Sequence, residues 1–243
     1  MTQLPSNWQL PEQIKDRFGQ KSAGKQRAMF AEGHLLLVLH KAPQLGMHDR
    51  QTVFFWRKPN GDWEYSGRGR GFPALKQHIE EYDIAAHKFS KDYERALEAE
   101  DYFELLEDIT PLLRAAKNLH ATMQSARESV KDDRSIIDLR DWADEIERTL
   151  EILQMEAKNA LDFKMAQKVE EQAKYSLQSV KAAHRLNILA AVFFPLTAIS
   201  CLFGMNIPSG LEGSSIAIFW LVFLGGIGLG FLVRRWVVDG KWF

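Results

Sequence analysis

The chain is poor in the residues that build covalent or metal-held scaffolds. It has one cysteine, Cys201, so no disulfide can form within it. Its seven histidines are scattered, with no Cys/His spacing of a structural metal site. Ser/His/Asp and Cys/His arrangements for nucleophilic chemistry are missing too, and an enzyme reading has little support. Gly67 to Gly71 (GRGRG) hints at a phosphate loop or a nucleic-acid contact. It lacks the Lys-Ser/Thr of a P-loop and reads better as a flexible turn, so no nucleic-acid partner is expected. The segment Met1 to Gln20 is polar, without the apolar core of a cleavable leader.

Charge is also scarce, but only locally. The formal net charge is −1 and 26% of residues are charged, which resembles a soluble protein. Leu186 to Met205 contradicts that average, because it carries no charge at all. A helix of about 20 apolar residues crosses a hydrocarbon core of about 30 Å. Ser215 to Val233 is a second uncharged run. The segment between them has no Lys or Arg and one acid, Glu212. Lys181 and Arg185 precede the first run, and Arg234, Arg235 and Lys241 follow the second. The distribution of basic residues predicts two spans with both termini cytoplasmic. A polar Asn206 at the mouth of the first run needs a reason, and an ion pathway is the usual one.

Before the apolar runs, the chain reads as an α+β domain, mostly helical. Residues 1–72 form a small β-containing part. Its first thirty residues, broken by Pro5, Pro11, Gly19 and Gly24, look like a loose arm with one short helix at most. His34 to His40 (HLLLVLH) has the continuous apolar character of a buried strand. Thr52 to Arg57 and Asp62 to Ser66 follow as strands around a turn at Pro59-Asn60-Gly61, making three in all. Trp56 and Trp63 are expected to pack this sheet.

Residues 73–132 read as helices, the first over Ala74 to about His87, the next from Phe89 with a kink or restart at Thr110-Pro111. Lys131-Asp132-Asp133 is a turn, with Asp133 or Ser135 as helix cap. From Ile136 there is neither Gly nor Pro until Pro195. Apolar residues recur every three or four positions from Trp142 through Ile146, Leu150 and Leu153 to Leu177 and Val180, which is one face of a single helix. The expectation is a self-associating stalk helix over 133–185, leading into a two-helix C-terminal transmembrane region: first span 186–205, outer loop 206–214, second span 215–233, basic tail 234–243. On the second span, Gly226 and Gly230 form part of a small-residue face suited to close helix packing.

Phe193-Phe194-Pro195-Leu196-Thr197, then Ile199, then Phe203-Gly204-Met205-Asn206, resembles the first membrane helix of the CorA family of divalent-cation channels and transporters. The short acidic outer loop and the basic aromatic tail Lys241-Trp242-Phe243 are similar to that family as well.

The resemblance implies a homopentameric funnel in a bilayer, of the bacterial inner-membrane type. The first span would line the pore, and Mg²⁺ would be the transported ion, with no resident cofactor. Gly204, Met205 and Asn206 would form the entrance, Asn206 as a ring of neutral amides holding a hydrated ion that dehydrates reluctantly. Glu212 would raise the local cation concentration. Helical spacing then places Leu186, Ala190, Phe194, Thr197 and Cys201 on one stripe. Thr197 would meet the passing ion, unless its hydroxyl is bonded to its own helix. Leu186 and Phe194 would form apolar constrictions. Cys201 reads best as a small packing residue.

Acids at Glu98, Glu100, Asp101, Glu104, Glu107 and Asp108 are candidates for metal sensing or a solvated helix face. The chain departs from the family pattern in its short α/β part, and in Val180 standing where a polar inner ring is usual. Relatives moving Zn²⁺, Co²⁺ or Ni²⁺, and a transport-inactive membrane-anchored helical scaffold, are the alternatives.

Overall fold

A computed structural model describes residues 4–18, 24–43, 51–204 and 216–239. The chain divides into two compact units, Met1–Ala166 and Gln167–Phe243. One helix, α4, Arg134–Gly204, runs through both.

The first unit is built on an antiparallel sheet of four strands in the order β1 (Arg27–Ala31), β2 (His34–His40), β3 (Thr52–Arg57) and β4 (Trp63–Tyr65). The continuous apolar run of β2 reflects burial on both sides. Leu35, Leu37 and Leu39 join Val53 and Phe55 on the face toward the helices. Leu36 and Val38 join Met29, Phe54 and Trp56 on the other face. That second face is covered by the N-terminal arm, which contributes Trp8, Leu10 and, from the short helix α1 (Glu12–Lys15), the fully buried Ile14. Over the described residues 4–18 the expected loose arm is therefore a packed layer.

β1 is a strand that the expectation of three did not include. Its two-residue connection to β2, Glu32-Gly33, has positive φ at both positions (53° and 78°), the requirement of a tight hairpin turn with this twist.

Two helices cover the inner face of the sheet. α2 runs Gly71–Arg95, further than the expected end near His87, and α3 runs Ala99–Ser129. The break falls at Ala96 to Glu98 because the Asp101 carboxylate accepts the backbone N–H groups of Leu97 and Glu98, each at 2.9 Å, in a capping box with Glu98. Those two hydrogen bonds hold the Asp101 carboxyl below its ordinary range. α3 passes through Pro111 rather than restarting there. Two members of the acidic cluster thus serve the helix start. Among the described residues, no group of three or more His, Cys, Asp or Glu is placed to hold a metal ion.

α4 starts where the turn predicts. Asp133 Oδ1 accepts the Ser135 N–H at 3.1 Å, while Oδ2 accepts from Arg57 Nε at 2.9 Å, tying the helix start to β3. Ile146, Leu150, Leu153 and Ala157 are buried in the core of this unit, and Glu147 of α4 is 2.7 Å from His120 of α3. The apolar face expected to self-associate is thus used within the chain over its first turns. From Met165 onward it is exposed, with Val169, Leu177 and Val180 all more than half accessible.

In the second unit the C-terminal part of α4 pairs with α5, Ile216–Asp239. The glycine face of α5 makes this contact. A Cβ added at Gly230 would lie 2.8 Å from the Val192 carbonyl oxygen. At Gly226 it would lie 3.2 Å from Ile199 Cδ1 and 3.3 Å from Leu196 Cδ1. Gly225 and Gly228 have nothing within 4 Å. Only a side chain of hydrogen permits the helix backbones to approach this closely.

Candidate pore-lining face of the C-terminal helix pair

α5 occupies one face of α4, marked by Val192, Leu196 and Ile199. Ala191, next to Val192, is buried, at 8% accessibility. At about 100° per residue, Thr197 projects about 140° away from Val192 and about 160° away from Ile199. It therefore faces away from α5.

The other stripe residues follow the same turn. Leu186 and Phe194 are 66% and 71% exposed, Cys201 is exposed and Ala190 is half-buried. The helix gathers the five onto the side that α5 leaves uncovered. Gly204 ends α4, with open space around its Cβ position. Met205, Asn206 and Glu212 lie outside the described residues.

Thr197 is the polar group on the uncovered face with a defined bond. Its hydroxyl donates to the Phe193 carbonyl, 2.9 Å away, the helix-internal bond that the sequence left open. A hydroxyl committed in this way has used its one proton, and presents acceptor lone pairs outward. The stripe is otherwise apolar.

Of the residues that fix this geometry, Leu196 and Ile199 stood in the sequence only as part of the motif, without a packing role, and Val192 was not singled out. The available signal was the glycine spacing on α5, which announces close packing but not the partner positions. Among the described residues, one helix, α4, is long and apolar enough to cross a membrane. Its apolar stretch is largely exposed among the described residues.

Residues 70–238 match the family described as CorA-like Mg²⁺ transporter protein. No curated protein matches the chain. Solved structures that are similar include the following two. One is the complete structure of the CorA magnesium transporter from Methanocaldococcus jannaschii, with 14% identity, coverage of 90% of this chain and 80% of that one, and a TM-score of 0.46. The other is the full-length CmaX protein, also with 14% identity, covering 90% of this chain and 78% of that one, with a TM-score of 0.54. At that identity the likeness to CmaX speaks for the fold alone: mostly helical, with a small sheet and a long helix. Because the family match takes in well over half of the sequence, this chain belongs to the CorA-like family of Mg²⁺ transporter proteins.

Proposed function

We propose that the chain is a divalent-cation channel, for Mg²⁺ first, assembled as a homopentameric funnel with two spans per subunit and both termini in the cytoplasm. Residues 186–205 form the pore-lining span, 206–214 the outer loop and 215–233 the outer span. Residues 1–72 and 73–132 form the cytoplasmic domain, 133–185 the stalk and 234–243 the basic tail.

One observation carries this reading. α5 packs on the Val192, Leu196 and Ile199 face of α4, leaving the opposite stripe of Leu186, Ala190, Phe194, Thr197 and Cys201 turned away from α5 among the described residues. A helix pair with one membrane helix outside and a free stripe inside is the repeating element of a ring around a pore. An apolar stripe alone would suit any helix contact. Thr197 gives it a chemistry. With its proton bonded to Phe193, the hydroxyl accepts from the waters of a hydrated cation, whose hydrogens point outward. Leu186 and Phe194, both on the stalk side of Thr197, narrow and dry the path there.

The ring of Asn206 amides would bind the ion through its water shell, which suits an ion as reluctant to dehydrate as Mg²⁺. Gly204 lets the chain turn there, with Met205 between them, and Glu212 concentrates cations nearby. Zn²⁺, Co²⁺ and Ni²⁺ are the competing ions.

The test is Mg²⁺ influx into liposomes holding the purified oligomer, beside Asn206→Ala. Flux in the wild type, lost in the variant, is the expected result. An intact oligomer without flux for any of the four metals would leave a membrane-anchored scaffold instead.

A further inference from the structure

Gly230 lies against Val192, and Gly226 against Leu196 and Ile199, so α5 runs antiparallel to α4. The contact fixes the rotation of both helices, which can be followed along each at about 100° per residue. Arg185 stands about 20° from Val192 around α4, on the side of α5. Arg234 stands about 40° from Gly230 around α5, on the side of α4. At about 1.5 Å per residue, Arg185 lies about 10.5 Å along α4 from Val192, and Arg234 about 6 Å along α5 from Gly230. The two arginine positions therefore face one another across the helix pair, about 4–5 Å apart in depth.

Two like charges at facing positions repel, and no acid of the pair offsets them. The sequence has no Asp or Glu between Glu171 and Glu212, and α5 has none before Asp239. Position 239 falls about 180° from Gly230, on the far side of α5. Arg185 and Arg234 are both exposed, and neither makes an ion pair among the described residues. Each also adjoins an uncharged run, which begins at Leu186 on α4 and ends at Val233 on α5. Two unneutralised guanidinium groups thus meet at the edge of the apolar helix pair, where an anion would relieve their repulsion.

We propose that Arg185 and Arg234 together hold the phosphate of an anionic phospholipid at the seam between α4 and α5. The site rests on the two-span reading but not on conduction. Guanidinium groups match phosphate oxygens by two parallel hydrogen bonds. Basic pockets between membrane helices take anionic headgroups in this way. Arg185 is about 120° from Thr197 around α4, so the lipid lies off the uncovered stripe and ties α5 to α4. Arg235 provides the contrast within the chain. It lies at nearly the depth of Arg234 but about 140° from Gly230, turned away from the seam.

Titration of the detergent-solubilised full-length protein with phosphatidylglycerol, phosphatidylcholine and inorganic phosphate, with bound molecules counted by native mass spectrometry, tests it. Phosphatidylglycerol is expected to bind more tightly than phosphatidylcholine or phosphate. Arg185→Gln and Arg234→Gln should each lower its affinity at least about tenfold, the scale of one charge-assisted hydrogen bond. Arg235→Gln removes the same charge one residue away and should lower it much less. All three change exposed side chains, and either of the first two carries the test if the other fails to fold. Equal affinity for the two lipids would overturn the proposal. Equal losses in Arg234→Gln and Arg235→Gln would overturn it too, leaving only diffuse attraction to basic residues. Phosphate binding as tightly as phosphatidylglycerol would overturn it in favour of a free anion. A chain recovered in the aqueous fraction without detergent would instead overturn the two-span reading beneath it.

Discussion

Alanine at Gly230 probes the tightest contact between α4 and α5. The added methyl would meet the Val192 carbonyl oxygen at 2.8 Å and its Cα at 3.1 Å. Both are backbone atoms of a continuous helix and cannot turn aside as a side-chain end could. α5 must move outward by several tenths of an ångström, which also loosens the contact of Gly226 with Ile199 and Leu196. Overpacking of this kind costs about 1–3 kcal/mol. Alanine also returns up to about 1 kcal/mol of helix propensity relative to glycine. Gly228→Ala isolates the first term, because it carries the same propensity gain and its Cβ meets nothing within 4 Å. The readout is the apparent Tm of the purified oligomer in one detergent at one scan rate. Gly230→Ala should melt below Gly228→Ala by about 2–12 °C, at about 2–4 °C per kcal/mol for a domain of this size. Equal melting temperatures, or a Gly228 variant less stable than the Gly230 variant, would refute the packing of α5 on Val192 and with it the assignment of the uncovered face.

Other expectations follow from single groups. Burial pushes the His78 imidazole down from 6.5 to about 4, so on acidification the unfolded chain binds a proton before the folded one does. The stability held above pH 6.5 should fall by roughly 3 kcal/mol as the pH drops toward 4. His78→Phe should flatten that slope in denaturant titrations between pH 7 and 4.5, and an unchanged slope would place the titration elsewhere. Asp133→Asn keeps a cap for Ser135 but breaks the partly buried pair with Arg57, whereas Asp133→Ala removes both and should cost about 1 kcal/mol more by chemical denaturation. Thr197→Val keeps the shape and the helix while removing the outward acceptor. It should leave stability within about 1 kcal/mol of wild type and lower Mg²⁺ flux, and unaltered flux would remove Thr197 from the ion path.

Much of the first unit could be read from the sequence where one segment carried its own pattern. β2 and β3 announced themselves by apolar runs, the turn at Pro59 to Gly61 by its residues, and α4 by the lack of Gly and Pro. Structure specified from a distance was harder to read. Trp8, Leu10 and Ile14 sit in a polar, proline-broken segment, and only the outer face of the sheet makes them core. β1 was hidden in a mixed sequence, RAMFA, although Gly33 ahead of HLLLVLH was a hairpin signal. The end of α2 was misplaced because its stop is an acidic capping box rather than a glycine or proline.

The stalk shows what periodicity leaves open. A stripe every three or four residues fixes a face of a helix but not what covers it. Here Ile146 to Ala157 turn to α3, while the apolar side chains of Met165, Val169, Leu177 and Val180 are exposed among the described residues. The C-terminal pair raised the same ambiguity. The stripe through Phe194 and Thr197 and the glycine face of α5 were both visible in the sequence, but not the angle between them. The contact of Gly230 with Val192 supplies it, because two backbones that close leave no rotational freedom about α4. Once Val192 and Ile199 belong to α5, Thr197 faces away from that contact, and a partner on that side must come from outside the pair.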